Sequence, residues 1–320
     1  MEISLANPRG FCAGVDRAIK IVDMCLDVFG PPVYVRREIV HNSHVVKDFR
    51  AKGVIFVDEL EPVPPKSVTV LSAHGVAPEV FAQAQAKELK LIDATCPLVT
   101  KVHLEVHRFV REGYHIVLIG HDGHDEVIGT MGESPEHTTL VEDERQARTV
   151  DLSAHEKLMV LTQTTLGVED TQGIINILKD RYPQLDLPPT DDVCYATQNR
   201  QDAVKALVEA GMDLLLVVGS SNSSNAARLV EVGEARGVRG FLIDGTDQID
   251  EAWLDGVTCV GVTAGASTPE HVIQQVLEYL KQRGGTGVET ITTVEENTVF
   301  QVPLTLRREV ELRAAAQPQE

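Results

Sequence analysis

The sequence is poor in features that would each assign a function class. No apolar run among its 320 residues approaches the ~20 that cross a bilayer, so a membrane partner is not expected. Basic residues are scarce: 29 Lys and Arg stand against 48 Asp and Glu, a net charge of −19. That balance argues against nucleic acid as a partner, since phosphate neutralisation needs a basic surface. Cysteines number five, an odd count. The chain opens on Met1-Glu2-Ile3-Ser4, without the basic and then apolar stretch of an export signal or an Arg/Ser-rich transit segment. A disulfide framework is therefore not expected, and the predicted setting is the cytoplasm of a bacterium. Also missing are C-x-x-C pairs, G-x-x-x-x-G-K-[ST] and G-x-G-x-x-G, the signatures of structural zinc and of nucleotide phosphate loops.

What is there suits a globular chain, with 43 % apolar and 24 % charged residues. The length allows a large core and two or three domains. The acidity is uneven. Residues 1–60 hold eight Lys/Arg and eight Asp/Glu, so this near-neutral region reads either as chance clustering or as a docking face for an acidic partner. Arg36 and Arg37 are its sharpest candidates.

Three cysteines stand where an extended segment turns into a helix: Cys12 in Gly10-Phe11-Cys12-Ala13-Gly14, Cys96 in Asp93-Ala94-Thr95-Cys96-Pro97, and Cys194 in Asp192-Val193-Cys194-Tyr195. After each come an amphipathic helix, an apolar strand and a polar loop. His41 follows Cys12 by 29 residues, His124 follows Cys96 by 28, and Ser223 follows Cys194 by 29. This is one unit used three times. Cys25, on the stripe Ala18, Ile21, Val22, Cys25, Phe29, and Cys259, within Val257–Val262, read instead as buried small hydrophobes.

Strands alternating with helices predict an α/β fold with mostly parallel sheets. The units are 1–95, 96–193 and 194–285, with a tail over 286–320. Predicted helices span 15–28, 45–51, 78–89, 98–111, 168–181, 201–210, 226–236 and 269–281. The tail carries a strand-like Val299-Phe300-Gln301-Val302, is expected to lie across the other lobes, and frays over Ala314–Glu320. Ligands bind at the carboxyl ends of parallel strands. Three lobes about a pseudo-threefold axis would therefore bring three cysteines and six polar loops to one central cavity.

A thiol nucleophile needs one cysteine rather than three equivalent ones. Cubane clusters are held by cysteines, often with proline after one of them, as in Cys96-Pro97. Three cysteines would leave one iron open, a Lewis acid for a substrate oxygen, and a 4Fe-4S cluster is the favoured reading. The loop residues His41, His74, His124, Ser223, Ser224, Asn225 and Ser267 are short donors at helix starts. They fit a compact polyanion such as a diphosphate, although each alone reads as a turn or cap residue. Glu126, two residues after His124, should have a raised pKa in a dry anionic cavity and suits a general acid. Thr164 would relay a proton or hold a hydroxyl. His103 and His107, at i and i+4 without the glutamate that H-E-x-x-H requires, read as ordinary helix surface.

These residues carry a resemblance. Gly10–Val15, Ser72–Val76, Asp93–Pro97, Gly120-His121 with His124-Asp125-Glu126, Thr162–Thr165, Asn222–Asn225 and Thr263–Ser267 resemble the motifs of the 4-hydroxy-3-methylbut-2-enyl diphosphate reductases. The likeness extends to about residue 305. It implies three lobes around a 4Fe-4S cluster on Cys12, Cys96 and Cys194. It further implies diphosphate held by His41, His74, His124, Ser223, Ser224, Asn225 and Ser267, and proton delivery by Glu126 with Thr164. The implied reaction is reductive dehydroxylation to isopentenyl and dimethylallyl diphosphate, the last step of the non-mevalonate isoprenoid pathway, with reduced ferredoxin or flavodoxin as donor. Two other readings of the cavity are a non-catalytic anion-binding module, which would be colourless, and a dehydratase, which needs no electrons.

Overall fold

The computed structural model describes residues 1–189 and 192–316. Thirteen strands among them are, in chain order, β1 (Glu2–Asn7), β2 (Val33–Arg36), β3 (Val54–Val57), β4 (Val68–Leu71), β5 (Lys90–Asp93), β6 (His115–Ile119) and β7 (Thr138–Val141), followed by β8 (Leu158–Thr162), β9 (Leu185–Asp186), β10 (Leu214–Val218), β11 (Arg239–Ile243), β12 (Cys259–Ala264) and β13 (Thr286–Thr292). They form three sheets, ordered β3-β2-β4-β5, β7-β6-β8-β9 and β11-β10-β12-β1-β13. Every pairing is parallel. Parallel sheets are covered on both faces, so their strands read as unbroken apolar runs. Leu214–Val218 and His115–Ile119 are buried at every residue.

The three strand orders superpose term by term, with β13 as an extra edge, and this gives the pseudo-threefold arrangement of α/β lobes expected from the repeat. In each sheet the chain visits a middle strand, then the edge on one side, then crosses to the other side. The switch point therefore falls between β2 and β4, β6 and β8, and β10 and β12, where loops diverge and leave a crevice. The fourth strand of each set, β5, β9 or β1, ends just before a cysteine. The helix that begins there packs on the next sheet. Ala13–Phe29 buries Ala18, Ile21, Val22 and Cys25 against β2 and β4; Pro97–Arg111 buries Val102, Val106 and Phe109 against β6 and β8; Tyr195–Glu209 buries Ala203, Val204 and Leu207 against β10. Each such side chain contributes on the order of 1.5–3 kcal/mol when large and apolar.

Several boundaries differ from the sequence reading. The first strand does not lie in the lobe of residues 33–93: β1 pairs with β12 and β13, so the first eleven residues complete the third sheet. The apolar run Val33–Val40 looks strand-like throughout, yet β2 stops at Arg36, because Arg37 takes a φ of 56°, a left-handed turn that no strand continues. The helix read from Gln201 begins at Tyr195, directly after its cysteine. Residues 125–149, for which no element is predicted from sequence, hold the helices Asp125–Gly132 and Glu144–Thr149 with β7 between them.

The tail does lie across the other lobes. Its strand is Thr286–Thr292, which pairs with β1, rather than Val299–Val302. A final helix, Leu304–Ala316, buries Leu306 in the core of the first lobe together with Val302. Of the end read as frayed, Ala314–Glu320, the first three residues belong to this helix; residues 317–320 lie outside the described residues, as do Thr190 and Asp191 of the approach to Cys194.

Candidate active site

Cys12, Cys96 and Cys194 are each the N-cap of the helix that leaves their sheet, with extended backbone and no capping bond from the side chain. A thiol is a weak acceptor beside the usual Ser, Asp or Asn caps, so each sulfur is left free to point elsewhere. The backbone fixes where. Each cysteine N–H prolongs the ladder of its strand pair: Cys12 donates to the Ala266 carbonyl (3.1 Å), Cys96 to Ala73 (2.9 Å) and Cys194 to Thr164 (3.0 Å). All three thiols line one cavity of about 110 Å³, room for several waters.

Burial pushes the Cys96 thiol up to about 11, against the helix-start N–H groups of Leu98 and Val99. Burial likewise pushes Cys194 up to about 12, with the charges of Cys12 and Cys96 adding to it. Three sulfurs at one point cannot all ionise without a cation among them. The backbone leaves room for one: a methyl on Gly14 would stand 2.7 Å from the Cys96 sulfur and 3.8 Å from that of Cys12. No lysine or arginine lines the cavity among the described residues. A soft trithiolate donor set with space beside it fits an iron-sulfur cluster.

The opposite wall is built by the strand-end loops. His41 follows β2, His74 follows β4 and His124 follows β6. The rings of His41 and His74 stack at 4.0 Å between centroids, and His124 meets them edge-on at 5.5 and 6.0 Å. Burial, then the charges of His41 and His124, holds His74 well below the usual histidine range, and its buried Nδ1 has no hydrogen-bond partner. Burial pushes His124 down to about 4. Its Nδ1 caps the following helix by accepting from Glu126 N at 3.2 Å, so the neutral ring carries its proton on Nε2.

Glu126 is 3 % exposed and held at both oxygens. Thr164 donates its backbone N–H to Oε1 at 2.6 Å and its hydroxyl to Oε2 at 3.0 Å. Burial raises this carboxyl to about 7, and the two Thr164 bonds oppose the rise. At neutral pH it can therefore hold or release a proton. The third lobe contributes Ser223, Ser224 and Asn225 after β10 and Ser267 after β12, all lining the same cavity. Ser223 caps its helix by accepting from Ala226 N at 3.3 Å, and Ser267 donates to the His41 carbonyl at 2.9 Å. Both amide atoms of Asn225 are buried without a partner. A buried, unpaired amide costs roughly 1–3 kcal/mol, a cost that a ligand bonded to it would remove.

All of the residues singled out from the sequence thus meet at one cavity. Sequence reasoning missed Asp125, which is paired with Arg37 and stands 4.0 Å from His41 Nε2 and 3.9 Å from His74 Nδ1. It also missed Thr165, which donates to Ser224 Oγ at 3.2 Å and joins the second lobe to the third. Thr164-Thr165 and His124-Asp125 stand side by side in sequence; neighbourhood to a chosen residue was the one signal available.

Two readings need correction. Arg36 is buried and bonded to Glu59, and Arg37 turns inward to Asp125, because the left-handed turn at Arg37 folds this segment over the site. Both charges are thus engaged by carboxylates, with Arg37 still 29 % exposed. His103 is not helix surface either: it is buried, and its Nδ1 pairs with Glu133 at 2.7 Å while His107 Nε2 reaches the other oxygen at 2.6 Å.

Among known proteins, the LytB protein family matches over residues 3–281. A 4-hydroxy-3-methylbut-2-enyl diphosphate reductase of Streptomyces avermitilis is 53 % identical over 316 residues, 98 % of this chain and 93 % of that protein. Its namesake in Psychromonas ingrahamii is 54 % identical over 310 residues, 96 % and 98 %. The solved structure of the E-1-hydroxy-2-methyl-but-2-enyl-4-diphosphate reductase from Plasmodium falciparum superposes with a TM-score of 0.95 at 38 % identity, covering 98 % of this chain and 99 % of that one. With identity of this order over nearly the whole length, and the same three-sheet fold, the chain belongs to the LytB protein family of enzymes.

Proposed function

We propose that this chain reduces (E)-4-hydroxy-3-methylbut-2-enyl diphosphate to isopentenyl and dimethylallyl diphosphate, using a 4Fe-4S cluster held by Cys12, Cys96 and Cys194. The observation that carries the reading is the meeting of three N-cap thiols, one from each lobe, with a buried carboxyl of pKa about 7 in one cavity. The curated relatives bear the name of this reductase. The reaction breaks one carbon–oxygen bond, and the pair of that bond leaves with oxygen. Two electrons and two protons enter; one proton completes water and the other, with the two electrons, makes the new carbon–hydrogen bond. When bound, the cluster supplies those electrons and Lewis acidity at an iron that no protein side chain occupies.

The chain's own residues do the rest. The diphosphate is held by short donors and backbone N–H groups at helix starts: Ser223, Ser224, Asn225 and Ser267 from one lobe, His41 and His74 from another. A dianionic diphosphate raises the proton affinity of imidazoles beside it, and protonation makes each contact charge-assisted. Neutral His124 donates from Nε2. Glu126, kept partly protonated by burial, delivers a proton to the departing hydroxyl oxygen, and the Thr164 hydroxyl holds the carboxyl in place for the transfer. The electron donor would be reduced ferredoxin or flavodoxin.

Iron and sulfide analysis of protein purified without oxygen tests the reading. It expects about four irons per chain and a broad brown absorption, lost on changing any of the three cysteines to serine. A colourless chain that cannot be reconstituted would leave an anion-binding protein and remove the mechanism.

A further inference from the structure

The helices that leave the three cysteines carry a second cyclic pattern. Arg17, on the helix after Cys12, donates to the carbonyls of Ala94 (3.0 Å) and Thr95 (2.9 Å), the two residues before Cys96. Lys101, on the helix after Cys96, reaches Asp192 at 3.1 Å, two residues before Cys194. The other oxygen of Asp192 accepts from Thr162 N at 3.3 Å. Arg200, on the helix after Cys194, is fully buried and donates to the carbonyls of Gly10 (2.8 Å) and Phe11 (3.4 Å), the two residues before Cys12. Each cation thus starts from one cysteine's helix and grips the segment entering the next cysteine, and the third closes the circle on the first.

A mere structural staple would not need to be cationic at all three places. The repeat conserves the charge while the acceptor changes, from paired carbonyls at two positions to a carboxylate at the other. Among the described residues the cavity lining supplies no lysine or arginine, yet three thiolates must gather there. The tail reinforces two of the three grips: Arg17 Nε donates to the Gln301 carbonyl at 2.9 Å, and Arg200 pairs with Glu296 at 3.1 Å.

We propose that Arg17, Lys101 and Arg200 form a ring of positioning residues that holds the three cysteine segments in register for the cluster and, through their charge, favours its reduced state. The proposal rests on the cluster reading above. Its test uses Lys101→Met and Lys101→Arg in the full chain, with two readouts besides turnover: the rate at which a chelator removes iron anaerobically, and the midpoint potential from a dye-mediated titration. Lys101→Met should release iron about tenfold faster and shift the reduction equilibrium toward the oxidised cluster by about tenfold, or about 59 mV for one electron. Lys101→Arg should stay near the parent on both. If the parent chain takes up no iron, the cluster reading itself has failed. If the parent loads and Lys101→Met matches it in release rate and potential, the ring is overturned. So it is if Lys101→Met and Lys101→Arg lose iron alike while the thermal midpoints of both metal-free chains fall in step, since that is a folding effect.

Discussion

Replacing Glu126 with glutamine removes one proton and little else. The amide is isosteric with the carboxyl. Its oxygen can keep the 2.6 Å bond from Thr164 N, and its NH2 group can donate to the Thr164 hydroxyl, which now accepts. Substrate affinity should therefore hold. A positioned general acid is worth roughly 10²–10⁴ in rate, which corresponds to about 3–5 kcal/mol of barrier, and Glu126→Gln should lose that much in kcat with KM nearly unchanged. The same carboxyl sets the pH dependence. With a pKa raised to about 7 by burial, Glu126 is protonated in roughly ten of eleven molecules at pH 6 and one of eleven at pH 8. Its acid function is present below pH 7 and lost as pH rises through it, so kcat should fall about tenfold between those values. The assay is steady-state turnover with a small chemical reductant, which keeps donor docking out of the measurement. A Glu126→Gln enzyme within threefold of the parent, or a parent whose alkaline limb lies two pH units higher, would refute the assignment.

Gly14→Ala places a methyl 2.7 Å from the Cys96 sulfur, closer than carbon and sulfur pack, so iron content after anaerobic reconstitution should drop by more than half while the metal-free chain still folds by circular dichroism. Asn225→Leu takes away the unpaired amide; inorganic diphosphate, measured by calorimetry, should bind at least tenfold more weakly, and the free protein should melt no lower than the parent. Chelating the iron from the loaded protein should lower its thermal midpoint, since anything bound only by the folded state stabilises it; equal midpoints with and without iron would show that the metal does not bridge the lobes.

The cysteine junctions were legible because they are local. A strand, a cysteine and a helix start fall within ten residues, and the matched spacing to His41, His124 and Ser223 made three instances of one pattern. The assignment of β1 was not legible. Its partners β12 and β13 lie some 250 residues away, and a parallel pairing leaves no turn between its strands to announce it. The stretch 125–149 was hidden for another reason: its helices and its edge strand are short, and the apolar period does not repeat often enough to be seen. Val299–Val302 alternates like a strand, yet Val299 is 78 % exposed and Val302 alone is buried, because pattern reports what a segment can do and a free sheet edge decides whether it does. Arg37 and Asp125 come from separate lobes, so their pairing exists only in the assembled fold.

The position of the cysteines at the joints between lobes has a consequence for how the site forms. Each cysteine N–H belongs to the sheet behind it, while the helix it caps belongs to the lobe ahead. A thiol is therefore placed only when two lobes are docked, and the trio only when all three are. Two of the joints arise from consecutive segments of chain. The last requires β1 to enter between β12 and β13, with Glu2 opposite Cys259 and Thr286, across nearly the full length of the sequence. Loop closure over that distance costs more than over 90 residues, though only logarithmically, and contacts so far apart form late. Cys12 is thus the cysteine whose placement depends on the most distant pairing, and a metal that needs all three sulfurs requires the completed ring rather than any lobe within it.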